Sequence, residues 1–434
     1  MTISKPQILI VGANGAIGTH VLLKLYGNEN VSVLILPIEV DDFKKDKLMQ
    51  EDEWYPADHT FISQDSFVMG AEPSTTYEIG VYTSETIPAG FFKNNGIVII
   101  TSKVFHYDSV IEVIKPILSK DTLIFNLVNG LKPEVALEEK CRNRGIGNQV
   151  IRAVVMGGTH FVSDSKSRCV QSGIAKFVIG NWGKEYSKDY QAQLEKVACL
   201  FQKDKFVVEP QYGNDFRTLS FDKVLANLVN PISGFTGCIT IEYVTHDSLS
   251  DIIKICINQG IDVGLALGFD FHNREEIIKG KLEMYEKAGK TAAKAHLPSM
   301  GQDSLRAAIH RKPLSHENEH IGTALVQEGL NAQKPCHASY IDNFSRFLDL
   351  TAEHYNQFYE QDKEKAAQFL VGLMMCNRYS LGLDPNNRPL YEQFGGLEEL
   401  ESQVKVDQSD LKRIHDIKEA ASIFEENLRK MKVS

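Results

Sequence analysis

The chain has 434 residues, 43% of them apolar and 24% charged, an ordinary balance for a globular protein and too much chain for one small core, so two or three domains are expected. The 57 acidic residues outnumber the 47 basic ones, and a net charge of −10 at pH 7 gives no overall attraction to nucleic acid or to an anionic membrane. The seven cysteines are scattered, with no C-x-x-C pair and no zinc spacing, and no apolar run reaches the ~18–20 residues of a membrane span. Reduced thiols, no metal centre and a cytoplasmic location follow as expectations. The opening MTISKPQ runs directly into an apolar stretch and reads as no secretory signal.

QILIV (7–11) predicts a buried strand, GTHVLLKLY (18–26) a helix and VSVLILPI (31–38) a second strand, together the size of one βαβ unit. Residues 39–93 are polar and predict short strands with irregular loop. GIVIITSK (96–103) predicts a strand, SVIEVIKPIL (109–118) a helix, TLIFNLVNG (122–130) a strand with a sharp end, PEVALEEKCRN (133–143) a helix, and QVIRAVVMGGTHF (149–161) a strand leading into a turn. Strands alternating with helices predict a parallel sheet covered on both faces. Beyond about residue 200 the pattern becomes helical, over 217–232, 249–268, 273–295, 300–310 and 316–330, with further charged helix to the end. The expected division is an α/β domain over 1–205, a helical domain over 206–340 and a helical extension over 341–434.

Between the first strand and the first helix stand Gly12, Gly15 and Gly18. A glycine turn at that place lets backbone N–H groups approach a pyrophosphate, and the helix N-terminus adds roughly half a positive charge. Gly15-Ala16-Ile17-Gly18 supplies the last four positions of the usual dinucleotide pattern. Gly12 lies one residue further back than in G-x-G-x-x-G, and the additional residue, with Asn14, lengthens the turn. For the cofactor's adenosine end the residues conflict. Glu39, Asp41 and Asp42 suit the ribose hydroxyls of NAD, Lys44, Lys45 and Lys47 suit the phosphate of NADP, and a solvated charged loop accounts for all six.

Lys103 and Asn129 close two further strands and open onto the same edge of the sheet, where ligands of parallel sheets bind. Asn129 suits a nicotinamide ribose or a substrate, and equally a simple Asn-Gly turn. In FDKVLANLVNP (221–231), Lys223, Asn227 and Asn230 fall at i, i+4 and i+7, one narrow polar stripe on an otherwise apolar helix. Such a stripe lines a wet cleft or lies at the surface. Ser299 follows Pro298 at the start of a helix. Glu317 opens another, where an acidic residue also serves as a plain dipole partner.

Taken in order, the glycine turn, TSKVFHYDSVIEVIKP, LIFNLVNGL, MGGTHF, the K-x-x-x-N helix ending in Asn-Pro, PSMGQD and HENEHIGTALV resemble the ketopantoate reductases (2-dehydropantoate 2-reductases) over about residues 7–340. The resemblance implies an N-terminal Rossmann-type α/β domain, an all-α C-terminal domain of the 6-phosphogluconate dehydrogenase type, and NADPH in the cleft between them. It implies that Lys223 is the catalytic lysine and Glu317 the catalytic-site glutamate. Asn227, Asn230 and Ser299 hold substrate, and Lys103 and Asn129 lie on the cofactor side.

The expected reaction is NADP(H)-dependent reduction of 2-dehydropantoate to pantoate, on the way to pantothenate and coenzyme A. Its partner is a small 2-oxo acid, with neither nucleic acid nor membrane. The chain departs from the family in several places. LILPIEV lacks the basic residue after the second strand, which leaves NAD(H) as an alternative. The two asparagines are three apart instead of four. His316, Asn318 and Gly322 replace Thr, Ile and Asn, and about a hundred C-terminal residues are additional, a layer suited to covering the cleft or forming a homodimer. Another 2-oxo acid, an opine-type substrate, and a non-enzymatic dinucleotide sensor are the alternatives that these departures keep open.

Overall fold

A computed structural model describes residues 6–13, 15–25, 30–34, 36, 49–50, 57–61, 66–70, 76–93, 96–161, 168–202, 207–291, 297–381 and 383. The chain divides into two compact units, Met1–Val224 and Leu225–Ser434. The first contains, in chain order, β1 (Ile8–Val11), α1 (Ala16–Leu25), β2 (Val31–Leu34), the short strands β3 (Met49–Gln50), β4 (Ala57–Phe61) and β5 (Ser66–Gly70), then β6 (Thr76–Tyr82), β7 (Ile97–Ile100), α2 (Tyr107–Ile114), β8 (Leu123–Asn126), α3 (Pro133–Asn143), β9 (Val150–Phe161), β10 (Arg168–Gly180), α4 (Lys188–Gln202) and β11 (Val207–Pro210). Helix α5 (Gly213–Asn227) carries the division between the units, after Val224.

Six strands lie in the order β6-β2-β1-β7-β8-β9, each parallel to its neighbour, with Ile8 of β1 opposite both Val31 and Ile97. This is the doubly wound order 3-2-1-4-5-6 of dinucleotide-binding sheets. Period-two alternation along the strands sorts the core into two layers. Ile8, Ile10, Val33, Ile99 and Phe125 pack with Val21, Leu22, Leu194 and Val197 of α1 and α4. Leu9, Val11, Leu34, Val98 and Ile124 pack on the other face with Tyr107, Ile111, Ile114, Leu137 and Cys141 of α2 and α3. The polar 39–93 stretch contributes short strands as expected. Among them β5 pairs antiparallel with β6, β4 with β5 and β3 with β4.

One local expectation is corrected. MGGTHF does not turn: β9 runs on to Phe161 and pairs antiparallel with β10, with a register shift between Ser172 and Lys176. The hairpin partner supplies the backbone hydrogen bonds that a turn would have had to provide, and the irregularity is absorbed as a bulge.

The second unit is helical: α6 (Asn230–Thr236), α7 (Glu242–Thr245), α8 (Asp247–Ala266), α9 (Arg274–Thr291), α10 (Ser299–Ile309), α11 (Gly322–Asn331), α12 (Ser339–Gln361) and α13 (Lys363–Ser380). The helix predicted over 217–232 is in fact two. Pro231 has no N–H to donate, and its ring would meet the carbonyl of Asn227 in a continuous helix, so α5 ends at Asn227 and α6 starts afresh. The tyrosines Tyr285 and Tyr243 donate to the carbonyls of Ala226 (2.9 Å) and Val229 (3.2 Å) on either side of the break.

Helices α12 and α13 pack into this unit against α6 and α10. Ala366, Ala367, Leu370, Val371 and Met374 share one core with Ile239, Leu305, Ala308 and Tyr355. KRIHDIKEAASIFEENLRKMK lies outside the described residues. Among the described residues no helix is long and apolar enough to cross a membrane.

At the end of α13 the fully buried Arg378 donates to both carboxylate oxygens of Glu242, at 2.6 and 3.1 Å, while Asn377 donates to the carbonyl of Phe235 at 2.9 Å. Glu242 also accepts the N–H of Ile239. Removing one partner of such a pair leaves an uncompensated buried charge. Arg378→Met should therefore lower the unfolding free energy by about 3–5 kcal/mol, read from the urea midpoint. The thiols give a second check. Cys141, Cys199, Cys238, Cys256 and Cys336 are free, and burial pushes Cys141 up to about 11 and Cys238 and Cys256 up to about 12. Since the thiolate is the nucleophile, these three should escape alkylation in the native protein at mildly alkaline pH, while exposed Cys199 reacts, as peptide mapping would report.

Candidate active site

The glycine turn leaves the carboxyl end of β1. Gly12 has a φ of +84°, a backbone conformation disfavoured for other residues, and a Cβ there would stand 2.8 Å from the backbone N of Ser102. At Gly18 a Cβ would stand 2.1 Å from the carbonyl oxygen of Gly12. Helix α1 is thereby pressed onto the end of β1, with Ala16 and Ile17 in its first turn. Gly15 donates its N–H to the Gly12 carbonyl at 3.1 Å and accepts from the Thr19 N–H at 2.8 Å, and a Cβ on Gly15 would meet only that Gly12 oxygen, at 3.4 Å. The backbone is thus open at Gly15 and closed at Gly12 and Gly18, which is the arrangement a pyrophosphate at a helix N-terminus requires. Asn14 lies outside the described residues.

Two threonines complete this turn, and neither stood out in the sequence. Thr101, directly after β7, donates its hydroxyl to the carbonyls of Val11 (2.8 Å) and Gly12 (3.0 Å), and Thr19 donates to Ala13 at 2.9 Å. Only the neighbouring β1 and β7 reveal the first role, since Thr101 is ninety positions from its partner. The buried hydroxyl of Ser102, next to Thr101, has no hydrogen-bond partner among the described residues. A helix N-terminus next to a buried hydroxyl with no partner among the described residues fits a bound dinucleotide.

Lys103 follows at the start of a short 3-10 turn, Val104–His106, with its ammonium 5.9 Å from the centroid of the Phe105 ring. Burial, reinforced by Lys103, holds the His106 imidazole below its ordinary value. Half-buried Asn129 stands at the corner after β8, followed by Gly130 with a φ of +122°. Gly12, Gly15, Ala16, Ile17, Gly18, Lys103 and Asn129 therefore gather beyond the carboxyl ends of β1, β7 and β8 in the first unit. Lys223 is half-buried on α5, also in that unit.

In the second unit, Asn227 is the last residue of α5 and Asn230 the first of α6. The stripe expected on one helix is thus split across two, with Lys223 and Asn227 on α5 and Asn230 beyond the break. The break brings Asn230 to exposed Ser299 at the head of α10, Nδ2 to Oγ 3.5 Å. Glu317 is buried, immediately before a 3-10 turn, Asn318–His320, instead of inside a helix. The turn is pinned from α12. Fully buried Asn318 donates to the Ser345 carbonyl and to Asp349, both at 3.1 Å, and accepts from the Ser345 hydroxyl at 3.2 Å. Nothing in the spacing of Ser345 and Asp349 marks them for this task.

The class that the fold and the glycine turn define is a Rossmann-type dinucleotide-binding domain followed by a helical domain. Residues 8–184 match the family model described as ketopantoate reductase PanE/ApbA. No curated protein sequence matches the chain. Among solved structures it is similar to a D-mandelate dehydrogenase in complex with NADH and anilino(oxo)acetate, with 14% identity, a TM-score of 0.60 and coverage of 80% of this chain and 99% of the other. It is likewise similar to 2-dehydropantoate 2-reductase from Geobacter metallireducens, with 16% identity, a TM-score of 0.58 and coverage of 79% and 99%. For a dimeric ketopantoate reductase from Staphylococcus aureus the values are 17%, 0.54, 82% and 99%. At these identities the likeness establishes the fold, and about a fifth of this chain has no counterpart in these structures.

Gly18→Ala tests the turn. Its methyl cannot be placed without separating α1 from β1, so the folded variant should lose at least about tenfold in NADPH or NADH affinity, measured by fluorescence titration.

Proposed function

We propose that this protein reduces a 2-oxo acid with NADPH or NADH, and that the acid is 2-dehydropantoate, giving pantoate for pantothenate and coenzyme A synthesis in the cytoplasm. The observation that carries the reading is the PanE/ApbA match over residues 8–184, together with the closed packing at Gly12 and Gly18 within it. Gly12, Asn14, Gly15, Ala16, Ile17 and Gly18 would hold the pyrophosphate, and Lys103 and Asn129 the nicotinamide side. The reduced nicotinamide supplies a hydride to the keto carbon.

As that bond forms, negative charge builds on the carbonyl oxygen. The Lys223 ammonium is assigned to stabilise that oxygen and to give it the proton that completes the alcohol. The balance is one 2-oxo acid, one reduced dinucleotide and one proton, giving a 2-hydroxy acid and the oxidised dinucleotide. Ser299 is assigned to the substrate carboxylate, Asn227 and Asn230 to its orientation, and Glu317 to a substrate hydroxyl or to the lysine. The contact between Asn230 and Ser299 supports a shared substrate-binding role for these two. A homodimer is part of the same proposal, on the precedent of the dimeric Staphylococcus aureus relative.

A second reading keeps the reaction and changes the acid. A D-mandelate dehydrogenase is among the structures of similar fold, and another 2-oxo acid is the alternative substrate it suggests. A panel of 2-oxo acids with each reduced dinucleotide separates the two, followed by the loss of reduced-dinucleotide absorbance. Ketopantoate turnover is the expected outcome, and its absence with both cofactors overturns the specific assignment. Lys223→Ala should reduce turnover by ~10²–10⁴-fold, the usual scale for a lost acid–base group, with nearly unchanged dinucleotide affinity. Near-normal turnover in that variant would remove Lys223 from the chemistry.

A further inference from the structure

Arg152 is a charged residue in an otherwise apolar strand. Its β9 neighbours Ile151, Ala153 and Val154 are buried core, and Arg152 itself is only 1% exposed. It stands level with Asn126, the last residue of β8. Its guanidinium reaches three residues on two separate pieces of chain. Nη2 donates to the carbonyl of Gly130 at 2.7 Å, while Nη1 donates to the Ser220 hydroxyl at 2.6 Å and to Glu134 at 3.4 Å. Glu134 is wholly buried, and its other oxygen accepts the N–H of Trp182 at 2.8 Å.

Stability alone does not call for this cluster. Buried ion pairs are often matched or bettered by apolar side chains of the same volume. A rigid planar fork provides something an apolar group does not, namely two directed donors at a fixed angle to one another. One prong holds the peptide at Gly130, next to Asn129. The other holds Ser220, one helical turn before Lys223 on α5. All of these residues belong to the first unit.

We propose that Arg152 is a positioning residue that sets the Asn129–Gly130 corner and the Lys223 turn of α5 in a fixed relation, with Glu134 balancing its charge. The functional half of this inference rests on the roles given above to Asn129 and Lys223. The tether itself does not.

The test uses the full chain and two variants, Ser220→Ala and Arg152→Lys, each checked for folding by its thermal transition. Ser220→Ala removes only the link to α5. Turnover should fall about tenfold while the dinucleotide dissociation constant stays at the wild-type value. Arg152→Lys keeps the charge but loses the fork, so turnover should fall and the dissociation constant should rise, each about tenfold. In an Asn129→Ala background the effect of Arg152→Lys on the dissociation constant should vanish, because the corner is already uncoupled. A merely structural arginine would lower the melting temperature and leave this pattern absent.

Hydrogen exchange of the free protein adds a readout that needs no ligand: in Arg152→Lys, amides around 128–132 and 219–224 should exchange faster and the rest of the sheet should not. Wild-type exchange at both segments, or unchanged constants in both folded variants, overturns the proposal. A wild-type chain that binds neither dinucleotide would defeat the reductase reading, while the exchange result still decides for or against the tether.

Discussion

Helix α1 approaches β1 so closely that the carbonyl oxygen of Gly12 occupies the space a side chain at position 18 would need. The first unit is organised around that approach. It aims the N-terminus of α1 at the edge where β1, β7 and β8 end. It also depends on Thr101, whose hydroxyl is shared between the carbonyls of Val11 and Gly12 and so stitches β7 to the turn. Each of these carbonyls thereby accepts a second hydrogen bond, beside the Thr101 N–H at Val11 and the Gly15 N–H at Gly12. The additional residue between Gly12 and Gly15 is accommodated because the strand and the helix are each held from outside the turn.

Two buried polar clusters join pieces of chain that are distant in sequence, and each lies beside a residue of the candidate site. Arg152 and Glu134 link the corner after β8 to α5, and Asn318, Ser345 and Asp349 hold the turn that carries Glu317. Apolar packing could fill the same volumes, yet it is non-directional and tolerates small rotations. Hydride and proton transfer do not tolerate them, because reacting atoms must be held at about 3–3.5 Å.

In the second unit the governing feature is the break at Pro231. Asn230 owes its place beside Ser299 to that break, where Tyr285 and Tyr243 donate to the carbonyls of Ala226 and Val229. The C-terminal helices belong to the same construction. α13 contributes apolar side chains to the core around Tyr355, and its Arg378 closes onto Glu242. The additional chain described here is therefore built into the helical unit.

Much was legible in the amino-acid order alone. Strand–glycine–helix spacing at residues 8–25, period-two apolar runs and the long helical patterns after residue 200 are local properties, since a few neighbouring residues decide them through sterics and burial. The doubly wound sheet, the dinucleotide turn and the helical second half could be written down on that basis. Three things could not be. Thr101 acts on residues ninety positions away, Arg152 joins two distant segments, and Asn230 reaches Ser299 only because Pro231 ends a helix that periodicity would have continued. Each depends on which segments become neighbours in space, and no local pattern encodes a hydrogen bond whose partner is chosen by the packing of the whole unit.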